Sequence, residues 1–241
     1  MKKIQILTSD SCKEIAETVN ELKDHWISRH DFGFYSLGAA AYLDAPPQKT
    51  IEMFELAGPA ENQYMENVAR YNGLLWEHFS ELYKIVKDAL STIFDSDVEY
   101  AVDKALPGFH IFNHNIAHAK SSAHVPHYDG QYEGLDWGQE VTGLNAKTFS
   151  FTLPIKLPVV GGGIYFWPVQ LEEVLQLSKS DALNLVKAAK SQRVSYSPGE
   201  LVCHPGHQLH RIAPWKSVPE DQRMTLQGHG LYLDGCWQLY W

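Results

Sequence analysis

Cysteine is scarce. The chain has three in 241 residues, at positions 12, 203 and 236. An odd number at wide spacing gives neither a disulfide framework nor a thiolate zinc motif, and it suits a reducing compartment. Long apolar runs are missing as well. After Met1-Lys2-Lys3 the apolar stretch ends at Leu7, too short for the hydrophobic region of a signal peptide. No segment approaches the roughly 20 apolar residues that a membrane span needs. Positive charge is in deficit, with 20 Lys and Arg against 29 Asp and Glu for a net charge of −9. A surface of that sign lacks the basic field that nucleic acid or anionic lipid requires. There is no internal repeat, low-complexity tract or linker, so the expectation is one domain, 1–241, in the cytoplasm, without a nucleic-acid or membrane partner.

Histidine, by contrast, is plentiful. Nine of the 12 lie between positions 110 and 229, the kind of clustering that a metal site leaves in a sequence. Around them the hydrophobic pattern changes period. Ile15, Val19, Leu22 and Trp26 recur at helical steps behind Ser11, which with Glu14 reads as a capping box. From Glu61 to Phe94 the series Tyr64, Val68, Tyr71, Leu75, Phe79, Leu82, Ile85 and Ile93 keeps the 3.6-residue period, with Gly73 inside as a possible kink. Residues 30–60 support no firm assignment.

Beyond Asp95 the period falls to two. Short strands are expected at 98–102, 109–112, 148–153, 164–167, 193–196, 200–204, 209–213, 223–233 and 237–241, with a helical insertion over 171–190. Pro154 and Pro158 are expected at a strand end or edge. The fold class that follows is mainly β with α: a double-stranded β-helix or jelly roll, cupin-like, over 95–241, flanked by N-terminal helices over 1–94.

The chemistry centres on His124-Val125-Pro126-His127-Tyr128-Asp129-Gly130. On an extended backbone His127 and Asp129 point to the same side, because the strand period is two. One metal ion can then take an imidazole nitrogen and a carboxylate oxygen. A third ligand must come from His204, His207 or His210. His210 is favoured because it lies in the alternating Leu209-His210-Arg211-Ile212, with His207 as the fallback, while His204 flanks the Pro205-Gly206 turn. Two histidines and one carboxylate with open positions form the facial set of non-haem Fe(II) oxygenases. Arg223 and Thr225, also two apart, place a guanidinium fork and a hydroxyl side by side, suited to a carboxylate. Thr148, Ser150 and Thr152 alternate with large apolar residues and are expected on an interior face. His110, His114, His118, His124 and His229 take packing roles.

This pattern, His127-Tyr128-Asp129 with distal His210 and Arg223-x-Thr225, resembles the Fe(II)/2-oxoglutarate-dependent oxygenase superfamily. The family usually has Arg-x-Ser, and Thr225 keeps the hydroxyl. The resemblance implies that His127, Asp129 and His210 hold Fe(II), and that Arg223 and Thr225 hold the far carboxylate of the cosubstrate 2-oxoglutarate. It also implies O2 as oxidant, with succinate and CO2 as products. Family members that halogenate lack the carboxylate, so Asp129 implies hydroxylation of an unactivated C–H. A small-molecule, amino-acid or peptide-type substrate is expected against the 130–146 loop, with Gln131, Tyr132 and Trp137 as candidate contacts. The rival readings are a cupin-type metal dioxygenase or isomerase that uses no 2-oxoglutarate, and a non-catalytic jelly-roll ligand-binding protein.

Overall fold

Strict alternation in Thr148-Phe149-Ser150-Phe151-Thr152-Leu153 obliges a sheet to carry hydroxyls on one side and rings on the other. That division organises the molecule. A computed structural model describes residues 1–30, 33–45, 62–113, 125–141, 145–216 and 221–241. His114, His118 and His124 lie outside them.

The elements in chain order begin with β1 (Lys2–Gln5), α1 (Ser9–Glu21), β2 (Ile27–His30), β3 (Phe34–Leu37), α2 (Ala41–Asp44) and α3 (Tyr64–Phe94). Then come β4 (Val98–Tyr100), β5 (Gly108–Asn113), β6 (Thr148–Lys156), β7 (Val160–Gly161) and β8 (Ile164–Gln170). After α4 (Leu171–Leu175) and α5 (Lys179–Ala188) the chain is all β: β9 (Gln192–Val194), β10 (Glu200–Pro205), β11 (Gln208–Ile212), β12 (Trp215–Lys216), β13 (Gln222–Leu233) and β14 (Cys236–Tyr240).

Nine strands form the main sheet, in the order β1-β10-β6-β13-β5-β3-β2, with β14 and β4 continuing from the far end of β13. All of its pairings are antiparallel except β14 with β4. The second sheet is β11-β8-β9, and β7 pairs with β12. The mainly-β expectation with antiparallel sheets and added helices therefore holds. Residues 3–7 read in the sequence as a short first strand, and β1 is there; with the β2–β3 hairpin it forms the two ends of the main strand path, so the front of the chain does more than add helices.

One face of the main sheet is apolar. Phe109, Ile111, Phe149, Phe151, Leu153, Leu201, Cys203, Met224 and Leu226 pack against Cys12, Ala16 and Val19 of α1 and against Tyr71, Leu75, Phe79, Leu82, Val86 and Leu90 of α3. Burial in this layer pushes the Cys203 thiol up to about 12, so it serves as a small hydrophobe. The opposite face is polar. Register aligns His204, Ser150 and His229 across β10, β6 and β13, and Thr225 beside His110 of β5. Here Phe166 of the second sheet meets His204 with ring centroids 5.0 Å apart, and both sheets contribute to an apolar cluster of Ile164, Phe166, Tyr196 and Val202.

Several local expectations are corrected. Thr8, not Ser11, caps α1, its side chain accepting from the Ser11 amide at 3.1 Å. Trp26 lies past the end of α1 and folds back to donate its Nε1–H to the Val19 carbonyl at 2.9 Å. In α3 Gly73 is regular, and the helix deviates at Phe79 (φ −129°), whose ring packs on Phe109 at 4.8 Å. Ile85 is 40% exposed, and Val86 takes the buried position. Pro154 is inside β6, where a register shift opposite Thr225 removes the need for its missing N–H. The 171–190 insertion is two helices rather than one.

In the unassigned 30–60 region the structure holds a buried ion pair. Arg29 donates to Asp44 through Nη1 (2.5 Å) and Nη2 (2.8 Å), and Asp44 also accepts from the Ala40 amide and from Asn67. Asp44→Ala should cost about 3–5 kcal/mol, because it strands a buried guanidinium, read as a fall in the urea midpoint. On the apolar face Gly230 has no room for a methyl, since an added Cβ would stand 2.1 Å from the Phe149 ring. Gly230→Ala should lower stability by about 1–3 kcal/mol through overpacking, measured in the same experiment.

Candidate metal centre

The site is assembled by backbone pairing. The His127 amide donates to the His210 carbonyl at 2.8 Å, and the His210 amide returns the bond at 3.0 Å. This two-residue bridge adds the 127 segment to the edge of β11 and sets the two imidazoles side by side, centroids 4.5 Å apart. Two residues on, the Asp129 amide donates to the Gly206 carbonyl in the β10–β11 turn at 2.9 Å. The carboxylate thereby stays on the same side as His127. One ligand atom from each of His127, Asp129 and His210 lies within 4.8 Å of the others.

The side chains are preset for metal. His127 Nδ1 is 2.8 Å from the Val125 carbonyl, and His210 Nδ1 is 2.8 Å from the Gln208 carbonyl. A carbonyl can only accept, so each Nδ1 carries a proton and Nε2 is the nitrogen available to a metal. Asp129 is 4% exposed. Its Oδ1 accepts from Gln131 Nε2 at 3.0 Å, and its Oδ2 accepts from Ser150 Oγ at 2.5 Å. Ser150 in turn contacts His229 Nδ1 at 2.9 Å. Burial works to raise the Asp129 carboxyl, but the imidazoles of His210, His229, His127 and His204 outweigh it and hold the group well below the usual range. Burial also drives His210 well below its ordinary value. One carboxylate and two imidazoles whose Nδ1 atoms are committed to carbonyls form a donor set that a divalent cation fits.

Other histidines border the triad: the His204 ring centroid is 4.4 Å from that of His210, and His229 Nδ1 is 3.9 Å from Asp129 Oδ2. His204 packs on Phe166 and keeps its Nδ1 near the Pro205 carbonyl (3.0 Å). His207, the fallback ligand, lies instead between Glu172 Oε1 (3.0 Å) and the Tyr132 hydroxyl (2.9 Å). Neither belongs to the convergent group.

Arg223 stands on the same polar face. It is 1% exposed, and its guanidinium lies over the rings of Phe112 and Trp215 at 5.5 Å each. Its Nε and Nη1 have no hydrogen-bond partner among the described residues. Burial lowers it to about 10, with Tyr196 and Tyr42 in its field. A desolvated cation without a carboxylate is costly unless an anion completes it. Thr225 is fully buried two residues along and accepts from Gln227 Nε2 at 3.3 Å.

Of the three loop residues, Gln131 is buried and bonded to Asp129. Tyr132 is fully buried against His207. Trp137 donates to the Tyr132 carbonyl at 2.9 Å and packs on Tyr240. It also lines an outer cleft of about 890 Å³ with Tyr64, Lys104 and Leu135, to which neither the three convergent groups nor Arg223 contributes. Sequence reasoning missed the Ser150–His229 support and the Tyr42–His110 contact described below. Only the alternating hydroxyls of β6 signalled the former.

No family model matches the chain, and no characterised protein matches it in sequence. Solved structures do resemble it. An N-substituted L-amino acid dioxygenase from Burkholderia ambifaria AMMD, in complex with α-ketoglutarate, superposes with a TM-score of 0.54 at 14% identity, covering 99% of this chain and 84% of its own. The non-haem α-ketoglutarate-dependent epimerase SnoN of nogalamycin biosynthesis gives a TM-score of 0.53 at 10% identity, covering 94% and 75%. At such identities the likeness is one of fold: this chain is built like enzymes that use non-haem metal and a 2-oxo acid.

Proposed function

We propose that the protein is a non-haem Fe(II)/2-oxoglutarate-dependent oxygenase in which His127, Asp129 and His210 hold the metal. The observation that carries this reading is the pairing of two unfilled demands on one polar face. One is a preset, negatively charged donor triad. The other is a buried guanidinium with donors unpartnered among the described residues. A metal-chelating dicarboxylate meets both, and a metal alone would leave Arg223 unanswered. Thr225 supplies the neighbouring hydroxyl.

In this reading the two facing sheets form a double-stranded β-helix within one domain, 1–241. The ferrous ion, O2 and 2-oxoglutarate supply the oxidation when bound: 2-oxoglutarate, O2 and a substrate C–H give succinate, CO2 and C–OH. The chain's own residues bind and orient. Ser150 and Gln131 fix the Asp129 carboxylate so that its remaining lone pairs face the imidazoles. Phe112 and Trp215 exclude water from the guanidinium, which strengthens its hold on a carboxylate.

Hydroxylation is the outcome we favour, since Asp129 occupies the third ligand position. The superposable epimerase is a reminder that the same fold serves other C–H chemistry. The substrate is a small molecule, amino-acid or peptide-type compound, in keeping with the N-substituted L-amino acid dioxygenase that the chain resembles in fold. Gln131, beside the carboxylate, is its nearest loop contact, with Tyr132 and Trp137 bracing that loop. The odd number and wide spacing of the cysteines favour a reducing compartment such as the cytoplasm.

Anaerobic addition of Fe(II) and 2-oxoglutarate should produce a weak visible charge-transfer band. Metal binding without that band would favour a cupin-type enzyme needing no 2-oxo acid, and no metal binding would favour a ligand-binding protein. Arg223→Ala should weaken 2-oxoglutarate binding by about 10- to 100-fold while leaving Fe(II) affinity within a few-fold. Equal loss of both would make the residue structural. Asp129→Ala should reverse the pattern, with Fe(II) affinity measured by metal titration falling by at least about 100-fold, since even outer supports of a metal ligand are worth 10–100-fold.

A further inference from the structure

Tyr42 and His110 are 68 residues apart, yet the Tyr42 hydroxyl is hydrogen-bonded to His110 Nε2. Their setting is specific. His110 is on the polar face of β5, directly opposite Thr225, and Phe112 two residues on is opposite Arg223. Tyr42 comes from α2, whose last residue Asp44 is anchored by Arg29, by Asn67 and by the Ala40 amide. Burial dominates the setting of the Tyr42 hydroxyl, and Arg29, Asp129, Asp44 and Arg223 all lie within electrostatic reach of it. His110 feels Arg223 and His229.

The proton count of the pair leaves something over. Burial, with Arg223 beside it, keeps His110 neutral, so the ring has one N–H and one lone pair. If Tyr42 donates to Nε2, the proton on His110 is at Nδ1, which is buried and without a partner among the described residues. If Nε2 donates instead, the Tyr42 O–H is the uncommitted donor. Either arrangement leaves one donor over at the strand pair, β5 with β13, that carries Thr225 and Arg223.

We propose that the Tyr42–His110 pair is a positioning element that donates one hydrogen bond to the same carboxylate that Arg223 and Thr225 hold. The ligand is thus a dicarboxylate held at its far end by Arg223 and Thr225 of β13 and by one donor from the pair that α2 and β5 supply. The inference rests on the oxygenase reading and deepens it. It also gives the Arg29–Asp44 pair a purpose, since that pair fixes the helical turn from which Tyr42 reaches the sheet.

The test is anaerobic titration of the Fe(II)-loaded protein with 2-oxoglutarate and, separately, with 2-oxopentanoate, which has the chelating end but no far carboxylate. Tyr42→Phe keeps the ring and removes the hydroxyl. It should raise the 2-oxoglutarate Kd about ten-fold and leave both the 2-oxopentanoate Kd and Fe(II) affinity within two-fold of wild type. His110→Phe, which preserves ring packing against Phe34, should do the same, and the double variant should lose no more than either single one. A parallel loss of affinity for both acids would mean a packing role and overturn the proposal. So would an unchanged 2-oxoglutarate Kd in variants that still give the band. A wild-type protein that shows neither the band nor thermal stabilisation by 2-oxoglutarate would overturn the oxygenase reading together with this inference.

Discussion

Two backbone hydrogen bonds between His127 and His210 hold the candidate site together. They convert a separation of 83 residues along the chain (210 − 127) into neighbouring imidazoles. A hydrogen-bonded antiparallel pair fixes Cα atoms about 5.5 Å apart with side chains on a common face. Everything nearer the metal follows from that constraint. The third bond, from the Asp129 amide to Gly206, carries the geometry two residues further and seats the carboxylate. Local carbonyls then choose the tautomer, since Val125 and Gln208 each claim an Nδ1 proton. No side-chain interaction has to be strong for this, because the backbone has already brought the donors to one place.

The main sheet serves two purposes on its two faces. Helices α1 and α3 seal the apolar face, and that burial is what stabilises a sheet whose other side is crowded with imidazoles, hydroxyls and a guanidinium. Polar groups so placed are expensive unless paired. Most are paired with one another, as in the Gln131–Asp129–Ser150–His229 chain. Among the described residues Arg223 Nε and Nη1 and His110 Nδ1 are buried without a hydrogen-bond partner, and strand register sets both residues close to Thr225 on one face.

Strand β13 links the two purposes. It pairs with β5, β6 and β14, so residues on its polar side are placed by neighbours on both flanks. Arg223 and Thr225 are therefore held in place from both flanks of the strand. The register shift opposite Thr225 admits Pro154 there.

Sequence alone determined much of this. Period-two alternation located most of the strands after residue 95, because the pleat forces polar and apolar groups apart wherever one face is buried. The same period tied His127 to Asp129 and Arg223 to Thr225, since residues two apart on a strand share a side whatever the fold. What it could not reach were relations between distant segments. Choosing His210 over His207 needed the bridge that sets one beside His127 and Asp129 while the other turns toward Glu172 and Tyr132. The front of the chain was opaque because β2, β3 and α2 are short and draw their stability from neighbours. Arg29 with Asp44, and Tyr42 with His110, have no periodic signature at all. Local pattern fixes which way a side chain points, but only the folding of one sheet over another decides what it meets.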